Sequence, residues 1–271
     1  MNEQPKRDLT SSIRRVWLPA VAILLATLCS PRIEAAEVRV MISGGLSAAY
    51  KELVPQFEKA TGNTVVTSYG PSMGNTENAI PVRLARGEPA DVLIMVGDAL
   101  GVMISKGLAD AGSRVDLVRS PIGMVVRAGA PKPDISTPEA LKGTLLAAKS
   151  VAYSDSASGV YVGTELFKKL GIASEMDGKA RMIPADPVAG VVARGDAELG
   201  FQQISELLPI PGAELVGPLP PELQKITIFS AALTKDGKAR DQGKALIDFL
   251  ASPAAAPALV KSGMEPIAPA R

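Results

Sequence analysis

The chain has 271 residues, 46% of them hydrophobic, and sets 29 Lys and Arg against 28 Asp and Glu for a net charge of +1. That length allows one large domain or two of ordinary size with a core that needs no disulfides, and the charge balance offers no surplus for nucleic acid. With no His, one Cys (Cys29) and 4% aromatic residues, it excludes most zinc, copper and haem sites, Ser-His-Asp and Cys-His catalysis, and a cleft that stacks sugars.

Residues 1–36 read as a signal peptide. Lys6, Arg7, Arg14 and Arg15 precede an apolar run, Val16 to Leu28, which Pro19 interrupts and which is too short to span a bilayer comfortably. Ala35 and Ala36 suit cleavage. The product would be a periplasmic protein without Cys, Trp or His. The Arg14-Arg15 pair leaves both ordinary secretion and twin-arginine export open.

Val38 to Gly45, V-R-V-M-I-S-G-G, reads as a buried strand and a Ser-Gly-Gly turn. A helix follows from about Leu46 to Ala60, with Leu46, Ala49, Leu53, Val54 and Phe57 on its apolar side. Pro55 should kink or split it. The turn places backbone N–H groups and the Ser43 hydroxyl at a helix N-terminus, which suits an anion; the same glycines also serve simply to turn a chain. Val65 to Tyr69 is a second strand, ending in a Ser/Gly-rich turn that contains Ser72, Met73 and Gly74. A helix spans Ala79 to Arg86, a buried strand Asp91 to Met95, and another helix runs on to Gly107.

Ser120-Pro121 breaks the pattern. Ile122 to Arg127 is a strand, and Ser136 or Thr137 caps a short helix. Val151 to Tyr153 is a strand ending in S-D-S-A-S-G, and a helix spans Gly159 to Leu170. Arg181 to Pro184 is a short strand. Asp186 as N-cap and Pro187 at the first position open a helix that ends near Gly195. Leu199 to Gln203 is a strand, and Pro209 to Pro221 is a Pro-rich loop. Ile226 to Leu233 is a strand long enough to cross between domains, with helices over 239–250 and 253–261 behind it.

This alternation argues an α/β fold of mostly parallel sheets flanked by helices. Ligands of such sheets sit beyond the carboxyl ends of the strands. Those ends carry Ser43-Gly44-Gly45, Ser72-Met73-Gly74, Ser156 to Gly159, and Asp186-Pro187.

The chain resembles the type II periplasmic solute-binding proteins of ABC importers, in the molybdate-binding branch. The resemblance rests on V-R-V-M-I-S-G-G-L-S-A-A-Y-K-E-L from Val38, A-R-G-E-P-A-D-V-L-I-M at 85–95, S-G-V-Y-V-G-T-E-L at 158–166 and R-G-D-A-E-L-G-F-Q-Q-I-S-E-L at 194–207. It implies a two-lobed fold, with residues 37–118 and 230–271 in the first lobe and an inserted 119–229 in the second. It also implies a monomer that captures a small oxyanion such as molybdate or tungstate and delivers it to a membrane ABC permease. Catalysis, cofactor and metal are not expected. The binding positions it implies fall at Ser43, Gly44 or Gly45, at Ser72, at Ser158, at Pro187 or Val188, and at Gln203 in place of a tyrosine. The candidate ligand set is therefore Ser43, Gly44, Gly45, Ser72, Met73, Ser158, Gly159, Val188, Gln202 and Gln203.

Other readings stay open. The serines could be helix caps satisfied by their own helices. Asp155 and Asp186 read as caps, and Arg83, Arg86, Arg181 and Arg194 as solvated or structural. The amides of Gln202 and Gln203 would equally suit an organic polycarboxylate. A periplasmic enzyme or sensory partner on the same scaffold is the alternative of another class.

Overall fold

The computed structural model describes Met1, residues 36–184 and residues 186–267; the signal-peptide reading lies outside the described residues. Residues 36–271 form one compact unit. In chain order its strands are β1 (Glu37–Ile42), β2 (Thr64–Tyr69), β3 (Val92–Val96), β4 (Val115–Ser120), β5 (Ile122–Arg127), β6 (Val151–Ser154), β7 (Ala180–Ile183), β8 (Leu199–Gln203), β9 (Ala213–Pro218), β10 (Thr227–Leu233) and β11 (Glu265–Pro266). Its helices are α1 (Ser47–Thr61), α2 (Ile80–Ala85), α3 (Gly97–Ser105), α4 (Pro138–Ala147), α5 (Ala157–Tyr161, carried on by a π turn to residue 169), α6 (Ala173–Met176), α7 (Val188–Arg194), α8 (Ile204–Leu207), α9 (Arg240–Leu250) and α10 (Ala256–Lys261).

The strands form two sheets flanked by helices. The first has the order β11-β4-β10-β3-β1-β2 and the second β7-β6-β8-β5-β9. Both are parallel where a helix separates successive strands: β1 pairs with β2 and β3, and β6 with β7 and β8. Both are antiparallel around β10 and β5. The sheets are thus mixed rather than mostly parallel. The antiparallel members include the strands that carry the chain between the sheets: β4 of the first sheet runs through Pro121 into β5 of the second, and the chain returns from β9 to β10.

Each sheet is covered on both faces, which is why β3 reads V-L-I-M-V without alternation. One face of the first sheet packs Val38, Val40 and Ile42 against Tyr50, Leu53 and Phe57 of α1. The other packs Met41, Leu93 and Met95 against Leu100 and Met103 of α3. In the second sheet, Met124, Val151 and Phe201 meet Leu141, Leu145 and Leu166, while Val125 and Ala152 meet Val188, Val191 and Val192 of α7.

Four local expectations change. Pro55 neither splits nor ends α1, because its ring lies on the exposed face of the helix, where water can satisfy the carbonyl that loses its partner. Strand β9 lies inside the Pro-rich segment, paired with the edge of β5. Val115 to Ser120 is a strand that the sequence reading passed over. Asp186 is no cap: Pro187 takes that position, and the Asp186 carboxylate accepts from Arg194 Nη2 at 2.7 Å. Thr137 does cap α4, its hydroxyl accepting from Ala140 N–H at 3.1 Å.

Candidate functional site

The carboxyl ends of β1, β2 and β3 from the first sheet and of β6 and β8 from the second line a cleft of about 660 Å³. That volume is ordinary for a small-molecule site and generous for a tetrahedral oxyanion.

The first-sheet wall begins at Ser43. Its N–H donates to the Ile94 carbonyl at 3.0 Å, which extends β1 by one residue. Its hydroxyl lies at the cleft, 4% exposed, and has no hydrogen-bond partner. Of the glycines that follow, Gly45 is required by packing and Gly44 leaves room for a mobile side-chain end. A Cβ on Gly45 would overlap the Phe229 ring, and a Cβ on Gly44 would overlap a carboxylate oxygen of Glu206. Ser72 Oγ accepts from Val96 N–H at 2.9 Å, so its own proton remains available to the cleft. Met73 is 38% exposed at the rim. On α1, Ser47, Ala48 and Lys51 share the cleft face, and the Lys51 ammonium sits 5.2 Å from the centre of the Tyr69 ring. Lys51 is the one cationic side chain among the described residues of the lining.

The second-sheet wall is built by the end of β8 and by α8. Gln202 Oε1 accepts from Val188 N–H at 3.2 Å, which leaves its amide NH₂ to hydrogen-bond the Glu206 carboxyl. Gln203 is buried and joins the two passages between the sheets: its oxygen accepts from the Thr227 hydroxyl at 2.8 Å while its nitrogen donates to the Ser120 carbonyl at 2.9 Å. The Ser205 hydroxyl, 2% exposed, has no partner. Asp155, Ser156 and Asp186 complete this wall. Glu206 is half-buried, open to the cleft and surrounded by protein beyond it. Burial pushes its carboxyl up to about 7, the Asp155 charge adds to the shift, and the Gln202 hydrogen bond opposes it.

Of the sequence-derived candidates, Ser43, Gly44, Gly45, Ser72, Met73, Gln202 and Gln203 line the cleft. Ser158, Gly159 and Val188 are not in the lining. The Ser158 hydroxyl closes a ring with Ser154 at 3.1 Å and Ser156 at 3.2 Å. Gly159 seats α5 on β6, where a Cβ would overlap the Ser154 carbonyl. The Val188 N–H is taken by Gln202. Residues the sequence reading passed over are Lys51, Ser205 and Glu206, and Asp155 lines the cleft as well as sitting beside α5. The i, i+1, i+4 spacing of Ser47, Ala48 and Lys51 on one helical face was a usable signal. So was the lone acidic residue of the segment Q-Q-I-S-E-L that follows the buried end of β8.

Similarity to known proteins follows the same geometry. The chain is 48% identical to the aconitate isomerase of a Pseudomonas species over 254 residues, covering 92% of this chain and 97% of that one. It is 28% identical to the molybdate-binding protein ModA of Azotobacter vinelandii, covering 87% and 92%. Its fold superposes on the substrate-binding domain of a putative molybdenum ABC transporter from Clostridium difficile with a TM-score of 0.68 at 18% identity, covering 86% and 100%. The first of these overturns the expectation that the chain is not an enzyme, since a relative that similar over nearly its whole length is named for a reaction. Residues 38–265 match the bacterial extracellular solute-binding proteins, and the chain belongs to that family.

Proposed function

We propose that this protein is an isomerase of an unsaturated tricarboxylic acid, interconverting cis- and trans-aconitate in the periplasm. The observation that carries the reading is the 48% identity to an aconitate isomerase across 92% of the chain. The cleft supports it. Lys51 and the unpartnered hydroxyls of Ser43 and Ser205 can bind carboxylates, and 660 Å³ accommodates an organic acid. The sequence-derived lobes, 37–118 with 230–271 and the inserted 119–229, would close on this ligand. The family's habit of handing a solute to a membrane permease would be an additional role.

The chemistry asks little beyond proton transfer. A base removes a proton from the methylene, and the C–H electron pair spreads over the allyl unit and its conjugated carboxylate. A proton returned to the former vinyl carbon restores the same constitution with the double bond moved along. The conformation held at the former single bond then sets the new double bond as cis or trans. No atom is gained and no electron leaves.

The test is to add the purified protein to trans-aconitate and, separately, to cis-aconitate and follow both by proton NMR. Convergence on one mixture from both sides is the expected result. Thermal stabilisation by molybdate, with no conversion of either isomer, would overturn the reading in favour of the oxyanion expectation.

A further inference from the structure

Resting on that isomerase reading, we infer that Glu206 is the group that moves the proton, and that Gly44 and Gln202 form the seat that aims it. The inference starts from how the side chain is confined. Glu206 projects from α8 on the second-sheet side, yet its carboxyl oxygen lies so close to Gly44 on the first-sheet side that a Cβ there would push the carboxyl aside. Gln202 fixes it from beside: the Val188 N–H holds the Gln202 oxygen at 3.2 Å, so only the amide NH₂ can face Glu206. A carboxyl held between two walls by a glycine and an amide is pre-organised for transfer to a ligand between them.

Its surroundings fit the task. The titratable side chains of the cleft lining are Lys51, Tyr69, Asp155, Asp186 and Glu206. Asp186 is held by Arg194 at 2.7 Å, and Lys51 faces Tyr69. Among the charged groups on elements packed against α8, Glu214 of β9 accepts from Gly129 N–H and pairs with Lys132, Arg194 of α7 also pairs with Asp196, and Arg127 sits at the end of β5 away from the Ile122–Gln203 pair next to α8. Asp155 is the charge that acts on Glu206, and it acts in the same direction as burial. Two residues whose hydroxyls have no partner, Ser43 and Ser205, belong to opposite walls of the same cleft. A substrate carboxylate accepting from both would set its methylene against Glu206. The ionised Glu206 takes the methylene proton as the electron pair moves into the allyl unit. The neutral carboxyl then returns that proton to the far carbon and is an anion again.

The experiment compares the full-length wild type with Glu206→Gln and Gly44→Ala. It measures turnover of trans-aconitate from about pH 5 to about pH 9, binding by calorimetry, and methylene deuterium exchange in heavy water. Glu206→Gln should lose about 10²- to 10⁴-fold in kcat and lose methylene exchange, while still binding aconitate. The wild-type kcat/KM should rise through about pH 7. Gly44→Ala should bind aconitate but lose kcat, because its methyl displaces the carboxyl. Wild-type conversion matched within tenfold by Glu206→Gln, with exchange intact, would overturn the Glu206 assignment alone. A wild type that converts neither isomer would overturn the isomerase reading and this inference with it.

Discussion

Two groups of serines, all at or just beyond strand ends and all buried except the half-buried Ser156, have opposite fates. Ser154, Ser156 and Ser158 satisfy one another in a ring of hydroxyls 2.8 to 3.2 Å apart. Ser43 and Ser205 are as deeply placed and have no partner at all. A buried hydroxyl left unmade costs about 1–3 kcal/mol, and folded proteins seldom keep one. The ring is therefore complete as it stands, whereas the two lone hydroxyls belong to residues that line a cleft and have no partner in the free protein. The type of residue is the same in both places; what separates structure from binding is whether the proton already has somewhere to go.

Substitutions can break this contrast. Ser43→Ala and Ser205→Ala should each weaken aconitate binding about tenfold, the worth of one hydrogen bond to a charged group. Neither should lower Tm, since neither loses a bond in the free protein. Isothermal calorimetry and thermal melting on the same samples decide it. A fall in Tm without a change in Kd would place both hydroxyls in the folding of the chain rather than in its site.

Ser158→Ala should do the reverse at a smaller scale. It removes one member of the ring, leaves Ser154 and Ser156 with each other at 2.8 Å, and should destabilise by about 1 kcal/mol. Aconitate affinity should not move, because Ser158 is 1% exposed and absent from the cleft lining. A Kd that weakened with Ser158→Ala would restore it to the ligand set that the family resemblance implies.

The contrast also explains what was legible in the sequence. Strands β5 and β8 and the turn at Ser43-Gly44-Gly45 follow from apolar runs and punctuating residues, which are local signals. Strand β9 was hidden because prolines and glycines surround it, and an edge strand tolerates both. Ser43 and Ser158 look alike in sequence, since the partners that distinguish them come from folding. Glu206 was the hardest to see. Its neighbours in sequence are Ser205 and the apolar Leu207, and its meaning comes from Gly44, far back in the chain, and from burial that no window of residues encodes.

A further expected effect concerns the stability cost of that burial. Glu206 titrates near 7 in the folded protein against an ordinary 4.5. At acid pH the group is protonated whether the chain is folded or not, and it contributes nothing. As pH rises from about 4.5 towards 7 the unfolded chain releases the proton while the native chain still binds it, so stability falls; above about 7 the loss is complete. Glutamine cannot ionise and escapes the penalty. Glu206→Gln should therefore gain on the wild type across that window and hold a constant advantage at higher pH. A shift from 4.5 to about 7 corresponds to about 3 kcal/mol at alkaline pH, an upper bound that water in the cleft lowers. Melting curves of both proteins at matched ionic strength measure it. A difference that stayed flat from acid to alkaline pH would mean that the carboxyl ionises as it would in water. The second wall of the cleft would then be no better suited to moving a proton than the first.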